Sequence, residues 1–159
     1  MGGIVGKTSG KNNVFKDCVN NSNIVVTGTA PSLFTGGIIG ISTSSASNKA
    51  KLEGCINDGS TNVTANVVVD YAGFGGIVGW YNTAMEFIDC TNAAKVEISM
   101  NNWTAASSQG VGGFAGYAGA TATFDNCKTV VNNEGDVVKF NSKRASGSTR
   151  PAGVGGFIG

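Results

Sequence analysis

A five-residue glycine box, Gly-Gly-(Ile/Phe)-(Val/Ile/Ala)-Gly, recurs five times, and no other feature limits the fold of this chain as tightly. The copies are Gly2-Gly3-Ile4-Val5-Gly6, Gly36-Gly37-Ile38-Ile39-Gly40, Gly75-Gly76-Ile77-Val78-Gly79, Gly112-Gly113-Phe114-Ala115-Gly116 and Gly155-Gly156-Phe157-Ile158-Gly159, at intervals of 34, 39, 37 and 43 residues. Four cysteines, Cys18, Cys55, Cys90 and Cys127, follow at intervals of 37, 35 and 37, each between two boxes. Two independent markers on one period mean that a single supersecondary unit is repeated, as in solenoids, propellers and arrays with periods of roughly 20–50 residues.

A second motif surrounds each cysteine. Three residues before it stand Phe15, Leu52, Phe87 and Phe124, and immediately before it Asp17, Gly54, Asp89 and Asn126, all turn formers. Two residues after it come Asn20, Asn57 and Asn92, with Thr129 breaking the row. A β-branched run then follows: Ile24-Val25-Val26-Thr27, Val63 through Val69, Val96 through Met100, and Val137 through Phe140. Box, cysteine segment and valine run predict three short strands per unit. No window sustains the i, i+3, i+4, i+7 apolar pattern of a helix.

The expected fold is therefore all-β: a single-stranded parallel β-solenoid, or β-helix, of about four to five coils of roughly 37 residues, with three short strands per coil. A propeller would need four antiparallel strands per blade and carries signatures such as Trp-Asp, which this chain lacks. Residues 1–159 form one continuous repeat domain in this reading. The chain opens and closes on a box and shows no capping helix, so both ends are expected to be uncapped.

Composition narrows the function classes. There is no His, which removes the commonest general base and metal ligand. A net charge of +1 gives no electrostatic reason to hold nucleic acid, and no apolar stretch approaches the ~18 residues of a membrane span. No catalytic residue, cofactor, metal, nucleic-acid partner or membrane span is expected. Asp17 and Asp89 share a position in the repeat, but two coils separate them by about 10 Å, and turn formation explains both.

The glycine box, the Cys-x-Asn segment and the valine-rich strand together resemble the GLUG-motif repeat of bacterial secreted and surface proteins. That family includes large adhesins and the noncatalytic regions of some immunoglobulin-A-cleaving metallopeptidases. The resemblance spans the whole chain and implies an extracellular repeat architecture without activity of its own. The zinc-binding His-Glu-x-x-His of such peptidases is absent, so proteolysis does not carry over.

Stacking the coils places Cys18, Cys55, Cys90 and Cys127 in one inward ladder, Phe15, Leu52, Phe87 and Phe124 in another, and Asn20, Asn57 and Asn92 in a third whose amides satisfy one another. Each box carries two consecutive apolar residues, and neighbours on a strand face opposite ways. One row, Ile4, Ile38, Ile77, Phe114 and Phe157, is therefore expected to point outward as a contact face. The first functional reading is a noncatalytic extracellular structural unit of a bacterial surface adhesin or fibre. Its expected partners are itself, head to tail in a filament, or flanking repeats of a longer array. The alternative is a module binding a host surface protein or glycan through loop aromatics, Tyr71, Trp80, Tyr81 and Trp103. A polysaccharide-cleaving enzyme ranks third.

Overall fold

Each period winds into one coil of five strands. The computed structural model describes residues 1–43, 49–69, 71–105, 109–130, 138–144 and 152–159. The first coil holds β1 (Val5–Thr8), β2 (Val14–Lys16), β3 (Val19–Asn20), β4 (Ile24–Gly28) and β5 (Ser32–Gly36). The second holds β6 (Ile39–Ser42), β7 (Lys49–Glu53), β8 (Ile56–Asn57), β9 (Thr61–Val69) and β10 (Tyr71–Gly75). The third holds β11 (Val78–Tyr81), β12 (Ala84–Ile88), β13 (Thr91–Asn92), β14 (Val96–Ala105) and β15 (Gln109–Gly112). The fourth holds β16 (Ala115–Ala118), β17 (Ala122–Asp125), β18 (Lys128–Thr129), β19 (Val138–Arg144) and β20 (Ala152–Gly155). Among the described residues every strand pairs in parallel with its equivalent one coil away, giving five stacked sheets of four strands. The chain is a parallel β-solenoid.

Five strands per coil replace the expected three because two of the runs are broken by corners. The box is a bend rather than a strand: the lead-in strand ends on its first glycine, as β5 does on Gly36, and the lead-out strand starts two residues beyond its second, as β6 does on Ile39. The cysteine segment breaks at the residue before each Cys. There Asp17, Gly54, Asp89 and Asn126 adopt φ values of 51°, 63°, 52° and 49°, the left-handed region that Gly, Asn and Asp tolerate best. One backbone requirement thus accounts for what looks in sequence like a variable position.

The bend also decides the contact face. Ile38 and Ile39, Ile77 and Val78, and Phe114 and Ala115 are all fully buried, so the expected outward row of Ile38, Ile77 and Phe114 does not exist. Alternation holds only along a straight strand, and here the two apolar residues flank a corner and both turn inward. Ile4 is exposed and Phe157 half-buried because each belongs to an outermost coil with a neighbour on one side only.

Two cores result. The larger lies among the lead-out strands and the cysteine segments, with Ile38, Ile39, Leu52, Cys55, Ile77, Val78, Phe87, Cys90 and Phe114 at its centre. The other lies between the valine strands and the lead-in strands and contains Leu33, Val63, Phe74, Val96, Ile98 and Val111. Between them the lead-in and lead-out strands pass backbone against backbone. A Cβ on Gly79 would come under 3.0 Å from Thr35 N, and one on Gly116 equally close to Phe74 N.

Candidate functional site

The asparagine column runs along this waist. Asn20 Nδ2 donates to Asn57 Oδ1 at 2.8 Å, and Asn57 Nδ2 donates to Asn92 Oδ1 at 2.8 Å. All three side chains are buried. The remaining amide hydrogens of the outer two reach backbone: Asn20 to Ser22 O at 3.0 Å, and Asn92 to Ala94 O at 2.8 Å and Gly113 O at 2.6 Å. Buried amides so paired cost little and tie consecutive coils together, whereas one left unpaired would cost about 1–3 kcal/mol. The second glycine of each of the first three boxes makes room for them, since a Cβ on Gly3, Gly37 or Gly76 would meet the Cγ of Asn20, Asn57 or Asn92 under 3.0 Å. Box and asparagine are two halves of one packing device, which is why they share a period.

In the fourth coil Thr129 pairs by backbone with Asn92, but its Oγ1 is buried without a hydrogen-bond partner. Thr129→Asn is expected to extend the column by one amide, Asn92 Nδ2 turning from Gly113 O to the new Oδ1, and to stabilise the chain by about 1 kcal/mol by removing the unpartnered buried hydroxyl. That corresponds to a rise of roughly 2–4 °C in the thermal midpoint for a chain of this size. An unchanged or lowered midpoint in calorimetry would refute the extension.

The cysteines form the corner column. All four are free thiols, and each lies over the carbonyl two residues earlier: Cys18 on Lys16 O at 3.6 Å, Cys55 on Glu53 O at 3.6 Å, Cys90 on Ile88 O at 3.3 Å and Cys127 on Asp125 O at 3.4 Å. The hydrogen bond to Cys55, with burial behind it, pushes the Cys90 thiol up; burial pushes Cys18 and Cys127 up. The same hydrogen bond with Cys90 holds the Cys55 thiol well below the usual range, at about 6, so the pair shares one proton inside the corner, while Cys18, Cys90 and Cys127 pack as small hydrophobes. Beside them Phe87 and Phe124 stack at 4.8 Å with 2° between planes, in register with Leu52 and, below it, Phe15. Phe114 and Phe157 form a second stack at 4.7 Å that meets the first edge-on, with Phe87 and Phe114 rings 5.2 Å apart at 85°. Edge-to-face and offset contacts of this kind add about 0.5–1.5 kcal/mol each beyond area burial.

The expected ligand-contact aromatics do not form one group. Tyr81 is in the core against Phe87, its ring 6.3 Å away, and burial pushes its hydroxyl up. It has no outward role. Tyr71 and Trp80 lie on strands β10 and β11, not on loops, because Tyr71 begins a lead-in strand and Trp80 holds the outward position of a lead-out strand. The Trp103 side chain lies outside the described residues, although its backbone belongs to β14. Sequence reasoning missed Phe34, whose ring stacks on Trp80 at 4.7 Å. Tyr71 and Tyr117 lie 6.1 Å and 6.3 Å from the same indole. The register carried the signal: Tyr117 follows Trp80 in the next coil, and Gly73 follows Phe34, letting the Gly79–Trp80 backbone come close.

Charges sit on the outer faces. Glu53 accepts from Lys16 at 2.9 Å, one coil below, and from Lys51 at 2.8 Å, and these two ammonium groups hold its carboxyl at about 2. Glu97 pairs with Lys139 of the next coil at 2.8 Å. Exposed pairs like these specify register more than they stabilise. Among the described residues no three His, Cys, Asp or Glu side chains gather as a metal site, and no helix is long and apolar enough to cross a membrane. Comparison with family models, with curated proteins and with solved structures finds no match for this chain.

Proposed function

We propose that the chain is a noncatalytic structural unit of an extracellular bacterial surface fibre or adhesin, of GLUG-repeat type, whose coils extend a longer stack. The observation that carries this reading is the column structure. Backbone ladders, amides, thiols and rings repeat with the one-coil step, two ion pairs bridge consecutive coils, and among the described residues the outermost strands β2–β4 and β17–β19 each pair on one side only. Such edges are templates for more strands, and stability in a solenoid is a sum over coils and their interfaces. The amide column and the stacked rings link coil to coil through the interior, which suits a part made to persist and connect.

A second reading, a module binding a host protein or glycan, is favoured by the half-exposed group of Phe34, Tyr71, Trp80 and Tyr117. It ranks lower because these rings already stack on one another. Immunogold electron microscopy on intact source cells tests the first reading, with label expected on the cell surface or along fibres. Gold confined to the interior of sectioned cells would overturn it.

A further inference from the structure

We infer that Cys55 and Cys90 form a dithiol site in the corner column, which a hydroperoxide oxidises to a disulfide joining the second coil to the third. The site goes beyond the structural reading above and stands without it. Each of the two residues has a described coil on either side, so nothing in the site depends on what precedes or follows the chain.

Register and hydrogen bonding bring the two thiols together. Ile88 pairs with Glu53 before them and Thr91 with Ile56 after them, so Cys90 stands directly over Cys55. The backbone is pinned on both sides, Gly54 N donating to Ile88 O and Thr91 N to Cys55 O, each at 2.9 Å. Neighbouring strands run ~4.8 Å apart, inside the range of about 4.4–6.8 Å that Cα atoms keep across a disulfide. Both cysteines are fully buried, and their thiols hydrogen-bond to each other. That contact outweighs the one Cys55 makes with Cys18 on its other side. The wall over the pair is thin, because Asp89, just before Cys90, and Ile56, just after Cys55, are both exposed. Hydrogen peroxide is small enough to enter by local opening of that wall where a bulky disulfide reagent is not.

The two thiols divide the chemistry. Cys90, over Ile88 O at 3.3 Å, keeps the shared proton, while Cys55, held at about 6, is ionised near neutral pH. One is therefore the nucleophile and the other the resolving thiol, the arrangement that redox-active cysteines use. Cys55 Sγ attacks one peroxide oxygen, the O–O bond breaks, and hydroxide leaves with the electron pair and takes up the proton that Cys55 had released, leaving a sulfenic acid on Cys55. Cys90 Sγ then attacks Cys55 Sγ, the S–O bond breaks, and the Cys90 proton departs with the hydroxyl as water. The sum is two thiols and one peroxide giving one disulfide and two waters, with two electrons passing from sulfur to oxygen.

Tryptic mapping of the full chain after exposure to hydrogen peroxide, with free thiols alkylated under denaturing conditions, tests the site. Fragment 52–95 carries both cysteines and no internal Lys or Arg, whereas Cys18 and Cys127 fall in fragments 17–49 and 96–128. Fragment 52–95 is expected to come off unalkylated and about 2 Da light, and to be alkylated at both cysteines once dithiothreitol has been added. Cys55→Ser should leave Cys90 fully alkylated at the same dose, and Cys90→Ser should leave Cys55 as a sulfenic acid that dimedone traps, with circular dichroism unchanged in both. Fragment 52–95 linked to 17–49 or to 96–128 overturns the pairing. Full alkylation of both thiols at a dose that oxidises the exposed Met1 overturns the site. None of these outcomes touches the surface-fibre reading, which the immunogold measurement decides separately.

Discussion

Gly76→Ala is expected to lower the thermal midpoint by roughly 6–12 °C, while Gly156→Ala, the same box position in the last copy, leaves it nearly unchanged. The contrast comes from space alone. A Cβ on Gly76 would lie under 3.0 Å from Asn92 Cγ, Asn92 Nδ2 and the Gly113 carbonyl oxygen, whereas one on Gly156 would meet nothing within 4 Å. The amide could swing aside only by giving up its bonds to Ala94 O and Gly113 O, and the backbone carbonyl belongs to the next coil and has nowhere to go. Overpacking costs about 1–3 kcal/mol even where side chains can yield. Here backbone and a bonded amide are both obstructed, so about 3 kcal/mol is a lower figure, and a chain of this size loses roughly 2–4 °C per kcal/mol. Positive φ has no part in it: among the described residues the positive-φ glycines are Gly28 and Gly54, neither in a box. Equal losses in the two variants would show that glycine serves chain flexibility rather than close approach, and would undo the account of the waist.

That account marks the boundary of what the sequence made legible. The period, the parallel stacking and the columns of Cys, Asn and Phe follow from spacing, because in-register stacking puts equivalent residues one above another. Corners do not follow. Sequence reasoning took Ile38-Ile39 for a straight strand and sent one residue outward, but a bend at Gly37 turns both into the core. The residue before each cysteine looked like loose turn chemistry, and only the common φ near 50–60° shows that Asp17, Gly54, Asp89 and Asn126 are interchangeable answers to one demand. The surface aromatics were hardest to foresee. Phe34 and Trp80 are far apart in sequence and on different sheets, and they meet where Gly73, which follows Phe34 in the next coil, lets the Gly79–Trp80 backbone come close.

Asn57→Asp is expected to make stability depend on pH in a direction opposite to that of an ordinary paired carboxylate. Asn57 lies between two amides, accepting from Asn20 Nδ2 and donating to Asn92 Oδ1, both at 2.8 Å and fully buried. A protonated carboxyl can do both, its carbonyl oxygen accepting and its hydroxyl donating. Ionised, it has no hydrogen for Asn92 and sets one acceptor against another, in a site where burial already disfavours charge. The folded state therefore binds the proton more tightly than the unfolded chain, whose Asp titrates near about 3.9, and the pKa at this position is raised. For a raised pKa the variant's stability is fully present below the unfolded value and falls as pH rises towards the folded one, at about 1.4 kcal/mol per pH unit. Buried carboxyls shift by up to about 3–5 units, so the variant should approach the unmodified chain near pH 3 and fall up to about 4 kcal/mol below it by pH 7. Urea midpoints measured from pH 3 to 8, read as the difference from the unmodified chain, check this, with Asn57→Leu as a control whose loss should not vary with pH. A constant difference for Asn57→Asp would mean that the column is wet or loose at its centre. A slope of the expected sign would show that consecutive coils are held together by amides that no charged group can replace.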